Sequence, residues 1–318
     1  MASKLKKLFL IIGFLGVSAS PALAQYPTKG ITLICPWSAG GGTDTILRGL
    51  ARSTEPFLGQ NITVVNRTGG AGAIGHGTGV AARRDGYTVT MVTFDILTLP
   101  PQKLVPFTYE NFDLIMRVNM DPAAITVPAD APYDTLDEFV AYAKANPGAV
   151  KVGHAGPGTA WHLAGSIFAK EAGLELSYVP YNGAAPAVTA LVGKHIQAVS
   201  VSPAEVRSQI EGGALKILGI MSEERLAGFE DVPTMKEAGY DVAFGTWRGL
   251  GLPKSSPAKA RDALHNAFRK GMETEEFKKF AADMGLGLSY MGYEDWDKEL
   301  SVSSKEIEQT MKDLGLAR

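Results

Sequence analysis

The sequence predicts two α/β domains joined by two chain crossings. Strand-like and helix-like segments alternate twice, before about residue 120 and after about 150. At this spacing the pattern means parallel sheets with helices on both faces. Two extended stretches, Ala123 to Val127 and Val242 to Leu252, read as crossings between the blocks. The 318 residues are enough for two domains of ordinary size. On this reading 25–122 and 250–318 form domain 1 and 123–249 form domain 2. Two connections between two lobes make a hinge.

Residues 1–24 read as a secretory signal peptide. Lys4, Lys6 and Lys7 make a basic start, Leu8 to Val17 is a short apolar run, and Ala22-Leu23-Ala24 is a small-x-small cleavage site. Cleavage leaves Gln25 first. The alternative, an uncleaved anchor, is disfavoured because the apolar run is well under the ~20 residues of a spanning helix. Removing the three signal lysines leaves 28 basic residues against 33 acidic ones, a mature net charge of −5. No basic cluster exists, which argues against a nucleic-acid partner. The one cysteine, Cys35, allows no internal disulfide and follows Leu33-Ile34 rather than a lipidation signal. An exported chain without disulfides fits a Gram-negative periplasm.

The elements follow in order. Ile31 to Cys35 is a strand, and Asp44 to Leu58 a helix stopped by Gly59. Ile62 to Val65 is a strand, followed by a glycine-rich turn and a small-residue helix reaching about Arg83. Asp85-Gly86 turns the chain into the β-branched strand Tyr87 to Phe94. Thr135-Leu136-Asp137-Glu138 is a capping box opening a helix to Ala145. The second block runs through strand Val150 to His154, helix Ala160 to Ala172 before Gly173, and strand Leu176 to Val179. Helix Pro186 to Val192, strand Ile196 to Val201 and helix Pro203 to Glu211 complete it. From Pro257 the chain is mostly helical and charged.

Several motifs fail on inspection. Gly70-Ala71-Gly72-Ala73-Ile74-Gly75 matches the dinucleotide fingerprint, with Asp95 about 20 residues on. However, Asn66-Arg67-Thr68-Gly69 separate it from its strand, so close helix–sheet packing is the better explanation. No Gly-Lys-Ser/Thr follows Gly40-Gly41-Gly42, which excludes a P-loop. Pro36 stands where a nucleophile elbow around Ser38 needs glycine. The five histidines lack metal-site spacing, and neither a metal nor a cofactor is expected.

Two strand-to-helix turns remain. Trp37-Ser38-Ala39-Gly40-Gly41-Gly42-Thr43-Asp44 opens the first long helix. Gly153 to Thr159, with Gly156 and Gly158, opens the helix at Ala160-Trp161-His162. Helix N-termini carry unpaired N–H donors and a partial positive charge, so both turns suit an anion. Neither contains lysine or arginine, so peptide dipoles, Ser38, Thr43, Thr159 and His162 would hold it. Asp44 reads as a cap of its helix rather than a ligand contact. Trp37 and Trp161 either cover the body of an acid or pack beneath their loops.

The segments Tyr26-Pro27, ITLICPWSAGGGTD, VVNRTGGAGAIG, RRDGYTVT, GPGTAWHLAG, YVPYNGAAPAVTAL, DVPTMKEAGY and WRGLGLP occur in the order found in Bug-type extracytoplasmic solute receptors. These are the substrate-binding proteins of tripartite tricarboxylate transporters. The resemblance covers essentially the whole mature chain. It implies a two-lobed, Venus-flytrap periplasmic binding fold of type II-like topology. It also implies that the two turns grip a carboxylate between the lobes, with walls from Phe94-Asp95, Tyr181-Asn182, Ser202 and Trp247. Cys35, Trp37 and Gln197 depart from the residues common in the family. The expected function is therefore periplasmic capture of a small organic mono- or dicarboxylate, its body aliphatic or aromatic, by a monomer. The ligand would pass to a membrane permease, with no chemistry. The rival reading is an exported hydrolase using Ser38 with His154 or His162. A sensory subunit presenting the liganded form to a membrane kinase is a third.

Overall fold

The computed structural model describes residues 26–318; the expected signal peptide and its cleavage site lie outside the described residues. β1 (Ile31–Cys35), α1 (Gly42–Leu58), β2 (Ile62–Asn66), α2 (Ala73–Val80) and β3 (Thr88–Thr93) form the first block. β4 (Phe112–Pro122) and β5 (Ala124–Pro128) follow. The second block is α3 (Leu136–Ala145), β6 (Lys151–His154), α4 (Ala160–Ala172), β7 (Ser177–Pro180), α5 (Ala184–Val192), β8 (Ala198–Val201), α6 (Pro203–Glu211) and β9 (Leu215–Ile220). The chain ends with β10 (Gly245–Pro253), α7 (Ala258–Glu273), α8 (Glu275–Met284), β11 (Leu288–Gly292) and α9 (Tyr293–Asp313).

The strands make two sheets, ordered β11-β4-β10-β3-β1-β2 and β7-β6-β8-β5-β9. Each is mixed, not parallel throughout. β1, β2 and β3 run parallel, as do β6, β7 and β8, and the strands added beyond them are antiparallel. The parallel part is where helices connect successive strands. Within the antiparallel parts, β5 and β10 are the strands that arrive directly from the other lobe. β4 spans eleven residues and was not anticipated. Its sequence FDLIMRVNMDP carries polar residues at Asp113, Arg117, Asn119 and Asp121, which read as loop until their partners are seen.

The chain crosses at two places. β4 passes through Ala123 into β5, and Phe244 leads into β10. There the backbone N–H of Ala123 donates to Phe244 O (2.9 Å), that of Phe244 to Met221 O (2.9 Å), and that of Met221 to Ala123 O (2.8 Å). This closed triangle ties the passages together at the hinge. β5 itself belongs to the second sheet, and β10 pairs with β4 from Gly245 onward in the first.

Elsewhere the caps follow the sequence. α1 ends on Gly59 at φ 70° and α4 on Gly173 at φ 65°, the left-handed region glycine enters without a Cβ clash. Thr135 and Glu138 form the capping box of α3. The glycine fingerprint is a packing device: a Cβ on Gly75 would lie 2.4 Å from Pro36 Cα. Only glycine lets α2 sit this close to the turn after β1.

Candidate functional site

Both glycine turns leave from a topological switch point. β1 lies between β2 and β3, and β6 between β7 and β8. The helix connections from each central strand therefore go to opposite sides, opening a crevice at its carboxyl end, where open α/β sheets bind ligands. α1 and α4 start at these crevices, one in each lobe, and their N-termini face one small cavity of about 20 Å³.

From the first turn, Trp37, Ser38, Gly41, Gly42 and Thr43 line this cavity; from the second, Ala155, Ala160 and Trp161 do. Asp95 reaches it from the short helix after β3, beside Thr93. Ala184 adds the N-terminus of α5. Beyond Thr93 and Ala184, which the sequence did not single out, the cavity is lined by Glu205 of α6 and by Thr246 and Arg248 of β10, also not anticipated.

The lobes touch through the groups that line it. Ser38 Oγ donates to the carbonyl of Asn182. The N–H of Ala160, first residue of α4, donates to Asp95 Oδ1 at 2.9 Å. The N–H of Gly42, first residue of α1, donates to Glu205 Oε1 at 3.2 Å. Each helix N-terminus thus holds a carboxylate supplied by the opposite lobe. Thr93 Oγ1 donates to Asp95 Oδ2 at 2.8 Å, and the N–H of Ser202 donates to Glu205 Oε2 at 3.3 Å.

Arg248 corrects the expectation that cationic side chains are absent from the site. Its guanidinium is 1% exposed and is paired with Asp121. Nε donates to Thr43 Oγ1 at 2.8 Å, and Nη2 lies 3.7 Å from Glu205. It arrives on a strand about two hundred residues from the first turn, so no local motif signals it. Burial raises the Glu205 carboxyl to about 7; Arg248 opposes the rise and Asp121 adds to it. Burial also raises Asp95, against the bonds from Ala160 and Thr93.

Other expected site residues lie elsewhere. Asp44 is neither N-cap, which is Gly41, nor a cavity wall. As the third residue of α1 its carboxylate accepts from the Gly40 N–H (3.0 Å), Arg48 and Asn66. Burial raises its carboxyl, but these bonds outweigh burial and hold it below the ordinary value. Ala39 is exposed, and Gly40 faces a separate groove beside α5 and α6. Gly156, Tyr181 and Asn182 line an outer opening rather than the enclosed cavity. Trp247 points to the face of β10 opposite Thr246 and Arg248. It packs edge-on against Trp296 and Phe94, with ring centres 5.3 and 6.2 Å away, so neither Phe94 nor Trp247 reaches the cavity. Ser202 caps α6 behind Glu205.

Gly158, Thr159 and His162 shape the second turn from within. The N–H of Gly158 donates to His162 Nδ1 at 2.9 Å, and Thr159 Oγ1 to Gly156 O at 2.7 Å. His154 and His162 stack at 4.3 Å. Burial lowers them to about 3 and 4. Both rings belong to the wall of the turn, and neither lines the cavity with Ser38, so the hydrolase pairing has no geometry. Among the described residues no group of His, Cys, Asp and Glu could hold a metal ion. No described helix is long and apolar enough to cross a membrane.

Comparison with known proteins agrees with this architecture. Residues 46–316 match the TctC family, described as the tripartite tricarboxylate transporter family receptor. A UPF0065 protein in the gbd 5' region of Cupriavidus necator is 32% identical over 308 residues, covering 96% of this chain and 94% of its own. A TctC solute binding protein from Polaromonas, solved without ligand, is 38% identical with a TM-score of 0.67, covering 91% of this chain and 99% of its own. The periplasmic binding protein BugD is 28% identical with a TM-score of 0.88, covering 92% and 99%. The chain belongs to the TctC family of Bug-type tripartite tricarboxylate transporter receptors, which are two-lobed periplasmic solute-binding proteins and not enzymes.

Proposed function

We propose that the protein is exported, loses residues 1–24, and captures a small organic carboxylate between its lobes for delivery to a tripartite tricarboxylate-type permease. One observation carries the reading: two helix N-termini from opposite lobes face a single cavity, and each already holds a carboxylate, Asp95 or Glu205. Hydrogen bonds to a charged group contribute about 1.5–3 kcal/mol each, and a helix terminus adds roughly 0.3–2 kcal/mol. A handful supports micromolar binding. The amides of Thr43 and of Trp161, both cavity residues, lack helical acceptors by their position in the first turn and are the donors for the guest. Trp37 and Trp161 cover its body.

At about 20 Å³ the cavity holds a water or two, since one water needs ~10–15 Å³. Loading therefore needs the lobes to part at the Ala123–Met221–Phe244 hinge, with 25–122 and the chain from Gly245 moving against 123–244. The superpositions support such a hinge. The more identical Polaromonas protein matches less well than BugD over the same share of chain. A change of angle between lobes lowers a whole-chain score without altering either lobe. The guest shifts the open–closed balance only by its difference in affinity for the two states.

The test is tryptophan fluorescence and melting temperature against mono-, di- and tricarboxylates, with the ligand analysed after release. Saturable binding of a carboxylate recovered unchanged is expected. Recovery of a transformed compound, or no response to any carboxylate, overturns the reading.

A further inference from the structure

The cavity that the proposed function fills with a carboxylate is itself acidic. Among its lining side chains the titratable ones are Asp95, Glu205 and Arg248, and Arg248 is already committed to Asp121. Both carboxylates are buried: Asp95 is 4% exposed as a residue, and the Glu205 side chain is 4% exposed. Each takes one donor from across the cleft, the Ala160 or the Gly42 amide, and one from its own lobe, Thr93 Oγ1 or the Ser202 amide. An ionised carboxylate has about four acceptor positions, so each can accept more.

Admitting a guest between the lobes separates Asp95 from Ala160 and Glu205 from Gly42. Two helix-terminal amides then need an acceptor, and two buried carboxylates need donors. A bare dicarboxylate answers only the first need. It leaves Asp95 and Glu205 short of donors and places like charges beside them in a low-dielectric pocket, which costs affinity. A guest carrying an ammonium group near its carboxylate answers both. Its carboxylate takes the freed amides, and its ammonium donates to Asp95, Glu205 or both. The groups parted by the guest are rejoined through it, and the total charge in the cavity does not grow more negative.

We propose that this receptor selects amino-carboxylates over carboxylates lacking the amine, and that Asp95 and Glu205 are the residues that select them. The inference rests on the carboxylate-receptor reading. The raised carboxyls of both residues fit it: burial outweighs the attraction of Arg248, which is shared with Asp121 and stands 3.7 Å from Glu205, and an ammonium on the guest adds positive charge.

Titration calorimetry with matched pairs tests it: aspartate against succinate, glutamate against glutarate, alanine against propionate, 4-aminobutyrate against butyrate. In the unaltered protein the binding pair should favour the amine-bearing member by about tenfold or more. Asp95→Asn and Glu205→Gln keep size and polarity but remove charge. Each should weaken the amino-carboxylate and strengthen its partner. A wild-type preference for the acid lacking the amine overturns the selection while leaving the receptor reading intact. Variants that strengthen both members equally show the two carboxylates to be competitors for the helix amides and overturn it too. Silence from every pair and every plain carboxylate removes the receptor reading and this inference together.

Discussion

Arg248 holds three acidic or hydroxyl groups around one buried guanidinium: Asp121 of its own sheet, Glu205 of the other lobe, and Thr43 of the first turn. A buried ion pair adds little over an apolar pair of the same shape, but breaking one strands a charge. Arg248→Met should therefore cost about 3–5 kcal/mol in urea unfolding. Adding Asp121→Asn should recover part of the loss, and a double variant no more stable than the single would count against the pairing. Gly41 has an ordinary backbone conformation, φ −80°, and a Cβ there meets nothing closer than 3.5 Å. Gly41→Val should leave the melting temperature nearly unchanged while filling the approach to the helix amides. Ligand binding should fall below detection, and retained affinity would remove the first turn from the site.

At the level of elements, glycine works through what it lets approach. Gly75 sets α2 against Pro36 and Arg67, immediately before Trp37. Gly75→Ala forces that contact apart and should destabilise the protein by about 1–3 kcal/mol, the usual cost of overpacking. The emission of Trp37 should shift with it. An unshifted spectrum at full stability would show that the turn does not depend on this packing. Several elements were legible because their signals are local. α4 spans Ala160–Ala172 as expected, and the capping box of α3 needs only Thr135 and Glu138. β4 was not legible. Arg117 is buried against Glu299 and Ser289, partners about 180 residues away, and without them a charged residue argues against a strand. The resemblance implies a wall at Trp247, whereas its neighbours Thr246 and Arg248 line the cavity. Strand alternation places Thr246 and Arg248 on the cavity face, but one strand does not reveal which face looks inward.

For the whole molecule the buried titratable groups set a pH response. Burial lowers His76 to about 4, as it lowers His154 to about 3 and His162 to about 4. Their neutral forms contribute stability that is present above pH 6.5 and lost as pH falls toward those values. Glu205, raised to about 7, acts in the opposite sense. Its contribution is complete below 4.5 and lost as pH rises through 7. Asp95 shares that direction. Between pH 4.5 and 6.5 the histidines outnumber Glu205, so unfolding should take up protons and stability should rise with pH. Glu205→Gln should steepen the rise by about 1.4 kcal/mol per pH unit, the equivalent of one proton. Parallel pH profiles for variant and parent would show that Glu205 is not protonated in the folded cleft.

The sequence by itself determined the alternation of strands and helices, the two glycine turns, the glycine C-caps of α1 and α4, the capping box of α3 and the family. Each depends on residues within one or two turns of chain, or on segments in order along it. The mixed character of the sheets, the hinge triangle and the charge of the cavity were decided only in three dimensions. Asp95 meets Ala160, Glu205 meets Gly42, and Arg248 meets Asp121 across 65 to 163 residues. Glu205, which the sequence did not single out as a site residue, is the occupant of a helix terminus supplied by the other lobe. Burial and opposing dipoles, which no local stretch encodes, are what give it that role.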